Sequence, residues 1–323
     1  MEGINKILVV TLSNIGDVIL TLPVFGTLRE NFKDAKIDVI TGPRAAEVFD
    51  ADTRIGSMYI YDRSASLASK IRLFARLRRN RYDLLVDLRN SLFGFFVKAR
   101  FCNKPVNKPA KEICHKIDEH LAKAGDARGG SYPIWISRDD GERAARLLGA
   151  KGINDADQFI TVSPGAKSHI KRWNEEGFAK VCDILIDAYK VKIAFIGDDS
   201  DKEICERILV KMRNYAVSLA GMTNLRELAW IIKRSPLIIT NDSAPLHIAG
   251  SVGTPAVAIF GPTDYRKYGP REGMGEAVHK KLHCSPCETA LCRYNLECMK
   301  AVSADEVFDA AKAILNGRRE EKI

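Results

Sequence analysis

Short runs of consecutive apolar residues alternate along the chain with longer segments that are apolar on one side only. The runs predict strands at Lys6–Leu12, Lys36–Thr41, Ser57–Tyr61 and Asp83–Leu88, and the amphipathic segments predict helices at Asp17–Phe32, Arg44–Phe49 and Leu67–Arg79. Runs such as Ile7-Leu8-Val9-Val10 would be apolar on both faces of a strand, as in a parallel sheet covered by helices on each side. From Cys102 to Tyr132 the rhythm breaks. Pro105, Pro109, a lysine-rich run, Gly125, Gly129 and Gly130 predict a loop that carries a helix around Ile113–Ala124. Tyr132–Ser137 reads as a further strand and Arg138–Leu148 as a helix.

A second series opens at Gln158–Val162. Strands are expected at Lys192–Ile196, Ala216–Leu219, Leu237–Thr240 and Ala256–Phe260, with helices at Asn174–Tyr189, Lys202–Arg213, Leu225–Lys233, Pro245–Val252 and Ala304–Leu315. The break between the series lies in Lys151–Asp157. Two domains are therefore expected, 1–154 and 155–323, with the last helix free to pack back on the first. Alternating strands and helices of this kind make an α/β fold of two doubly wound halves, and ligands belong outside the carboxyl ends of the strands.

Composition narrows the class. The chain has 323 residues, 46% of them hydrophobic and 28% charged, as in a globular protein. No apolar run approaches the roughly 18 residues of a membrane span. The start leads only into the short run Ile7–Val10, too little for a signal peptide, so a cytoplasmic location is expected. The formal net charge of +9 favours an anionic partner: nucleic acid, lipid or a phosphorylated substrate. The charge is uneven, with Arg72, Arg76, Arg78, Arg79 and Arg81 in one cluster and Lys98, Arg100, Lys104, Lys108 and Lys111 in the next. These are either a solvated helix face plus a loop or a landing surface for an anionic acceptor. No nucleic-acid-binding module accompanies them.

Several turns carry candidate chemistry. Thr240-Asn241-Asp242-Ser243-Ala244-Pro245-Leu246-His247 links a strand to a helix. Asp242 or Ser243 can cap that helix, Pro245 suits its first turn, and the unpaired N–H groups of a helix start suit a phosphate. His247, one turn further, is either structural or part of that site. Ser163–Trp173 holds small residues with Lys167, Lys171 and Arg172 ahead of a helix capped by Asn174. It lacks the Gly-Lys-Ser/Thr of a P-loop, but reads as a pyrophosphate clamp or as a basic surface loop. Gly197-Asp198-Asp199 places carboxylates where a ribose could be held, or where they would only cap the next helix. Ser13-Asn14-Ile15-Gly16-Asp17 puts a carboxylate in a first helical turn, where it either supports the helix dipole or acts chemically. Cys284-x2-Cys287-x4-Cys292-x5-Cys298 permits a thiolate metal site, with reduced thiols or adventitious disulfides as the alternative.

Asn14–Asp17, Ser163-Pro164-Gly165-Ala166, Lys171-Arg172-Trp173, Thr240–His247 and Phe260-Gly261-Pro262-Thr263, in this order, resemble glycosyltransferase family 9, the lipopolysaccharide heptosyltransferases and their relatives. The Cys284–Cys298 pattern is also similar to one found in that family. The resemblance implies a GT-B fold: two Rossmann-like domains facing a cleft, the first for the acceptor and the second for an ADP-sugar. It implies an inverting transfer that needs no metal or other cofactor; a structural zinc is the reading that the cysteine spacing alone permits. Asp17 matches the catalytic carboxylate and Lys171 a pyrophosphate-contacting lysine. Asp242, Ser243, Ala244 and His247 match the donor motif, and Asp199 the ribose-binding acid. Arg63, Arg89, Lys104 and Lys108 are the expected acceptor contacts. The implied partners are ADP-heptose, a phosphorylated lipid A–core acceptor and the inner face of the cytoplasmic membrane, with no nucleic acid. Some heptosyltransferases carry Thr-Gly-Leu after the motif aspartate where this chain has Ser243-Ala244-Pro245, which argues against the enzyme that adds the first heptose. The competing readings are a family member with another donor or acceptor, a non-catalytic nucleotide-sugar binder, and a metal or redox sensor built on the cysteines.

Overall fold

The computed structural model describes residues 3–103, 114–125 and 128–320, without the side chains of 318–320. Its backbone divides into two compact units, Met1–Trp135 and Ile136–Ile323.

The first unit is built on β1 (Lys6–Val10), β2 (Lys36–Thr41), β3 (Met58–Ile60), β4 (Tyr82–Asp87) and β5 (Ala99–Cys102). All pairs are parallel, in the order β3-β2-β1-β4-β5. Val10 stands opposite Ile40 on one side and Asp87 on the other. The first strand is thus internal, and the direction of winding reverses between β1 and β4. The helices are α1 (Ile15–Ile19), α2 (Leu22–Asn31), α3 (Leu67–Arg79), α4 (Phe93–Phe96) and α5 (Lys116–Ala124), with a 3-10 turn at Pro43–Val48. Leu8, Val10, Ile40, Leu77, Leu85 and Phe93 are among the residues of one core that closes this unit.

The single helix expected over Asp17–Phe32 is two. Pro23 sits in the first turn of α2 and has no N–H for the Ile19 carbonyl, so the ladder stops there. Thr21 fills the break, its hydroxyl donating to the Val18 carbonyl at 2.6 Å. Tyr132–Ser137 forms no strand. Pro133 has no N–H to give a ladder, and the apolar alternation reflects packing instead: the Arg54 guanidinium lies 3.7 Å from the Tyr132 ring centre and donates to the Pro133 carbonyl at 2.7 Å.

The second unit contains β6 (Phe159–Ser163), β7 (Lys192–Phe195), β8 (Val217–Ser218), β9 (Ile238–Asn241), β10 (Ala256–Ile259) and β11 (Gly275–Val278). They are again all parallel, in the order β11-β10-β9-β6-β7-β8, so its winding reverses between β6 and β9. Its helices are α6 (Arg138–Ala150), α7 (Glu175–Tyr189), α8 (Lys202–Lys211), α9 (Leu225–Arg234), α10 (Ala244–Val252), α11 (Tyr265–Tyr268), α12 (Glu297–Lys300) and α13 (Ala304–Glu320).

One expectation about the units is corrected by the structure. The division falls at 135/136 and not at 154/155, because α6 packs on α9. Buried Asp140 on α6 accepts from Arg226 at 3.1 Å, and Arg143 bonds Glu227 at 2.7 Å. The last helix belongs to the second unit. Val307, Ala310 and Ala311 of α13 join the core of the second, against α7, β10 and β11.

Candidate active site

In a doubly wound sheet the loops on either side of the winding reversal leave a crevice at the strand ends. In the second unit these are the loops after β6 and β9, the two that the sequence singled out. Buried Asn241, at the end of β9, ties them together. Its side-chain oxygen accepts from the Trp173 N–H at 3.0 Å, and its amide donates to the Pro164 carbonyl at 2.7 Å. Trp173 is packed edge-on against Phe178 and donates its indole N–H to the Val302 carbonyl at 3.0 Å, so it anchors the loop from below.

Asp242 follows, 7% exposed. Its Oδ2 receives Lys171 Nζ at 2.6 Å and the Thr263 hydroxyl, also at 2.6 Å. Three loops, after β6, β9 and β10, therefore meet on one carboxylate. Ser243 precedes α10 in extended conformation, and its side chain caps no N–H of that helix; its hydroxyl lies 3.3 Å from that of Thr240. Ala244 and Pro245 begin α10, and His247 is half-buried one turn in. The result is a lysine and a helix start on the same side of a winding reversal, which suits a diphosphate.

The acids after β7 sort differently from expectation. Asp199, named as the ribose ligand, has an 83% exposed side chain and pairs with Lys202 at 2.6 Å. Asp201 turns inward and accepts the Asp198 N–H at 3.1 Å. Burial pushes its carboxyl above the usual range. It lies against Gly165, where a Cβ would come within 2.1 Å of Asp201 Oδ1. Gly165→Ala is therefore expected to push the β6 loop off Asp201. It should lower Tm by several degrees, roughly the effect of 1–3 kcal/mol of overpacking, and weaken nucleotide binding. Differential scanning calorimetry and ADP titration check both.

In the first unit the reversal lies between β1 and β4. Asp17, in the first turn of α1, accepts from the Asn14 side chain at 2.9 Å. Arg89 lies just past β4. Its own N–H is held by Asp87 Oδ1 at 2.9 Å, while Nη1 is buried with no hydrogen-bond partner among the described residues. Burial and the neighbouring Arg63 guanidinium lower the Arg89 pKa. Two arginines sharing a field at a strand end are suited to an anion. His120 on α5, 5% exposed, has an Nδ1 with no hydrogen-bond partner among the described residues. Burial, followed by Lys123, pushes its pKa down to about 4 against the opposing charges of Glu119 and Asp17, so it is neutral near pH 7. The expected acceptor contacts Lys104 and Lys108 lie outside the described residues.

Cys284, Cys287, Cys292 and Cys298 line a single cavity of about 520 Å³, together with Ile170 and Pro262, neighbours of Lys171 and Thr263. All four are free thiols. Cys292 Sγ accepts the N–H groups of Tyr294 and Leu296 at 3.4 and 3.3 Å. Burial and the thiols of Cys284 and Cys292 raise the Cys298 pKa. Among the described residues no three such side chains stand where they could together hold a metal ion. The segment has a visible mechanical role. The N–H groups of Cys287 and Glu288 bond the Pro262 carbonyl at 3.0 and 2.8 Å, and Ser285 bonds that of Gly261 at 2.6 Å, which fixes the loop carrying Thr263. Sequence reasoning did not name Asn241 or Thr263 as site residues. Both lay inside motifs already singled out, and a polar residue closing an apolar strand was the signal for Asn241.

Two Rossmann-like α/β units, each with its candidate residues at the winding reversal, make up the GT-B fold of a class of glycosyltransferases. Residues 134–297 match the model of "Glycosyltransferase family 9 (heptosyltransferase)", and the chain belongs to that family. It is 27% identical to lipopolysaccharide heptosyltransferase 3 of Escherichia coli K12 over 93% of this chain and 95% of that one. A crystal structure of a family 9 glycosyl transferase from Veillonella parvula superposes with a TM-score of 0.87, at 24% identity, over 98% of this chain and 99% of that one. E. coli heptosyltransferase WaaC with ADP superposes at 0.70 and 16% identity, over 96% of this chain and 99% of that one.

Proposed function

We propose that this enzyme transfers a heptose from ADP-heptose to a hydroxyl of the lipopolysaccharide inner core, with inversion at the anomeric carbon and without a metal ion. The single observation that carries the reading is the clasp in which Lys171, Asp242 and Thr263 meet beside the start of α10. It is supported by the names of the relatives, which include a lipopolysaccharide heptosyltransferase and a structure holding ADP.

In this reading the second unit binds the donor and the first the acceptor. Lys171 and the α10 start meet the diphosphate, with Asp242, Ser243, Ala244 and His247 shaping the pocket. The ribose falls to the acids after β7, where Asp201 is better placed against the Gly165 turn than Asp199. Arg63 and Arg89, with Lys104 and Lys108, take the acceptor's anionic groups. Asp17 accepts the proton of the acceptor hydroxyl as its oxygen bonds to the anomeric carbon. The bond from that carbon to the diphosphate oxygen breaks on the opposite face, and its electron pair leaves on ADP. Fixed positive charge at the leaving oxygen stabilises the transition state without a divalent ion.

The test is a donor panel of ADP-, UDP- and GDP-sugars with a heptose-deficient inner-core acceptor, read by mass spectrometry, with NMR of the new linkage. The expected result is a heptose increment from ADP-heptose only, inverted and unchanged by EDTA. Transfer from a UDP- or GDP-sugar in preference, or a rate that collapses with EDTA, overturns it.

A further inference from the structure

One apolar face of the first unit is left uncovered among the described residues. On α3, Leu67, Ile71 and Phe74 fall on one side of the helix at successive turns, and Phe74 stacks 5.0 Å from Phe96 at the end of α4. Phe96 is next in sequence to Phe95, which is 82% exposed, and Leu92, at the head of the same turn, is also exposed, as are Leu67 and Ile71. The result is a contiguous apolar ridge facing solvent, a feature that marks an interaction surface. Cations surround it: Arg72, Arg78 and Arg79 on α3, and Lys98 just beyond α4, are all exposed. None of these four has an ion-pair partner among the described residues. Neither segment 67–82 nor segment 91–102 contains an aspartate or glutamate.

We infer that this α3–α4 face docks on an anionic lipid bilayer, with Leu92, Phe95 and Phe96 entering the interface and the arginines of α3 lying among the headgroups. The composition decides the occupant. A protein partner of matching charge would satisfy the arginines but has no need of bare phenylalanines beside them, and nucleic acid would leave the apolar ridge wet. A basic helix face joined to exposed aromatic and aliphatic side chains is the signature of an interfacial membrane contact, and cytoplasmic leaflets supply the negative charge. The location has a consequence for the proposed transfer, on which this inference draws for its purpose though not for its evidence. Asp87, at the end of β4, holds the N–H and hydroxyl of Ser91 at 2.8 and 2.7 Å and the N–H of Arg89 at 2.9 Å. The same carboxylate thus fixes the start of the docking turn and the arginine of the candidate anion site, so a lipid-borne acceptor would reach Arg89 from the surface on which the unit rests.

The test uses the full chain and vesicles of phosphatidylcholine with and without phosphatidylglycerol, in co-sedimentation without donor or acceptor. Wild type is expected to sediment with the phosphatidylglycerol vesicles, weakly with phosphatidylcholine alone, and less as salt rises. Leu92→Ser/Phe95→Ser and, separately, Arg78→Glu/Arg79→Glu should each weaken partitioning by roughly tenfold or more, with Tm unchanged. Phe95→Trp should keep binding and shift its emission to the blue on addition of anionic vesicles. Wild type that stays in the supernatant, or serine variants that bind as wild type, overturn the inference. So does a concentration-dependent dimer that Phe95→Ser abolishes, because the occupant is then a second copy. Vesicle binding is measured without turnover, so a failed donor panel and a failed docking surface are separate results.

Discussion

Asp17→Asn is expected to lower kcat by about 10²–10⁴-fold, the usual worth of a positioned general base, while the Kd for ADP stays within about twofold. The substitution is nearly isosteric and keeps an oxygen for the hydrogen bond from Asn14, so α1 retains its start. What it removes is the negative oxygen that, in the proposed mechanism, accepts the acceptor's proton. The loss should therefore appear in the chemical step of a single-turnover experiment and leave donor binding alone. Stability should fall by no more than about 0.3–1 kcal/mol, the dipole contribution of a carboxylate in a first helical turn. The two roles open to Asp17, helix support and proton acceptor, thus predict different readouts. A variant with wild-type kcat and a lowered Tm would leave Asp17 as helix support only. Neighbouring His120 does not replace it: an imidazole unpartnered among the described residues, neutral and 5% exposed, is closed in, whereas Asp17 is only part-buried beside the Asn14 turn.

Much of this arrangement is local, and local features are legible in a sequence. Near-continuous apolar runs marked the internal strands, and the glycine and polar turns after β1, β6 and β9 marked the strand ends where the candidate residues lie. What was not legible depends on distant pairing. β5 and β11 are short edge strands with solvent-exposed positions, and only the neighbour they pair with makes them strands. The unit boundary was misplaced because the loop around Lys151–Asp157 looks like a linker, while the deciding contact, α6 on α9, joins segments far apart in the chain. Asp198, Asp199 and Asp201 were equivalent as text. The reciprocal hydrogen bonds between Asp198 and the turn after it orient Asp201 inward and leave Asp199 in solvent. The partners of Asp242 come from 71 residues before it and 21 after it, a convergence no spacing rule encodes.

That convergence gives the second large effect. Lys171→Met should weaken ADP binding by roughly 10²-fold, the range for removing one partner of a charged contact in a partly desolvated site. It should also destabilise the second unit, because the Asp242 carboxylate, 6% exposed, keeps only the Thr263 hydroxyl. Breaking a buried ion pair costs about 3–5 kcal/mol. Lys171 is 29% exposed, so solvent offsets part of that, and a loss of about 1–3 kcal/mol is the reasonable expectation. The double variant Lys171→Met/Asp242→Asn separates the two consequences. An asparagine at 242 carries no charge to strand and can still accept from Thr263, so Tm should recover at least half of its fall. ADP affinity should not recover, since the cation proposed to meet the diphosphate is still gone. Asp242→Asn alone should keep most of the affinity, because Lys171 is freed and not removed. If affinity instead returns together with stability in the double variant, Lys171 serves only to hold Asp242, and the diphosphate is bound by the start of α10 and its neighbours without it.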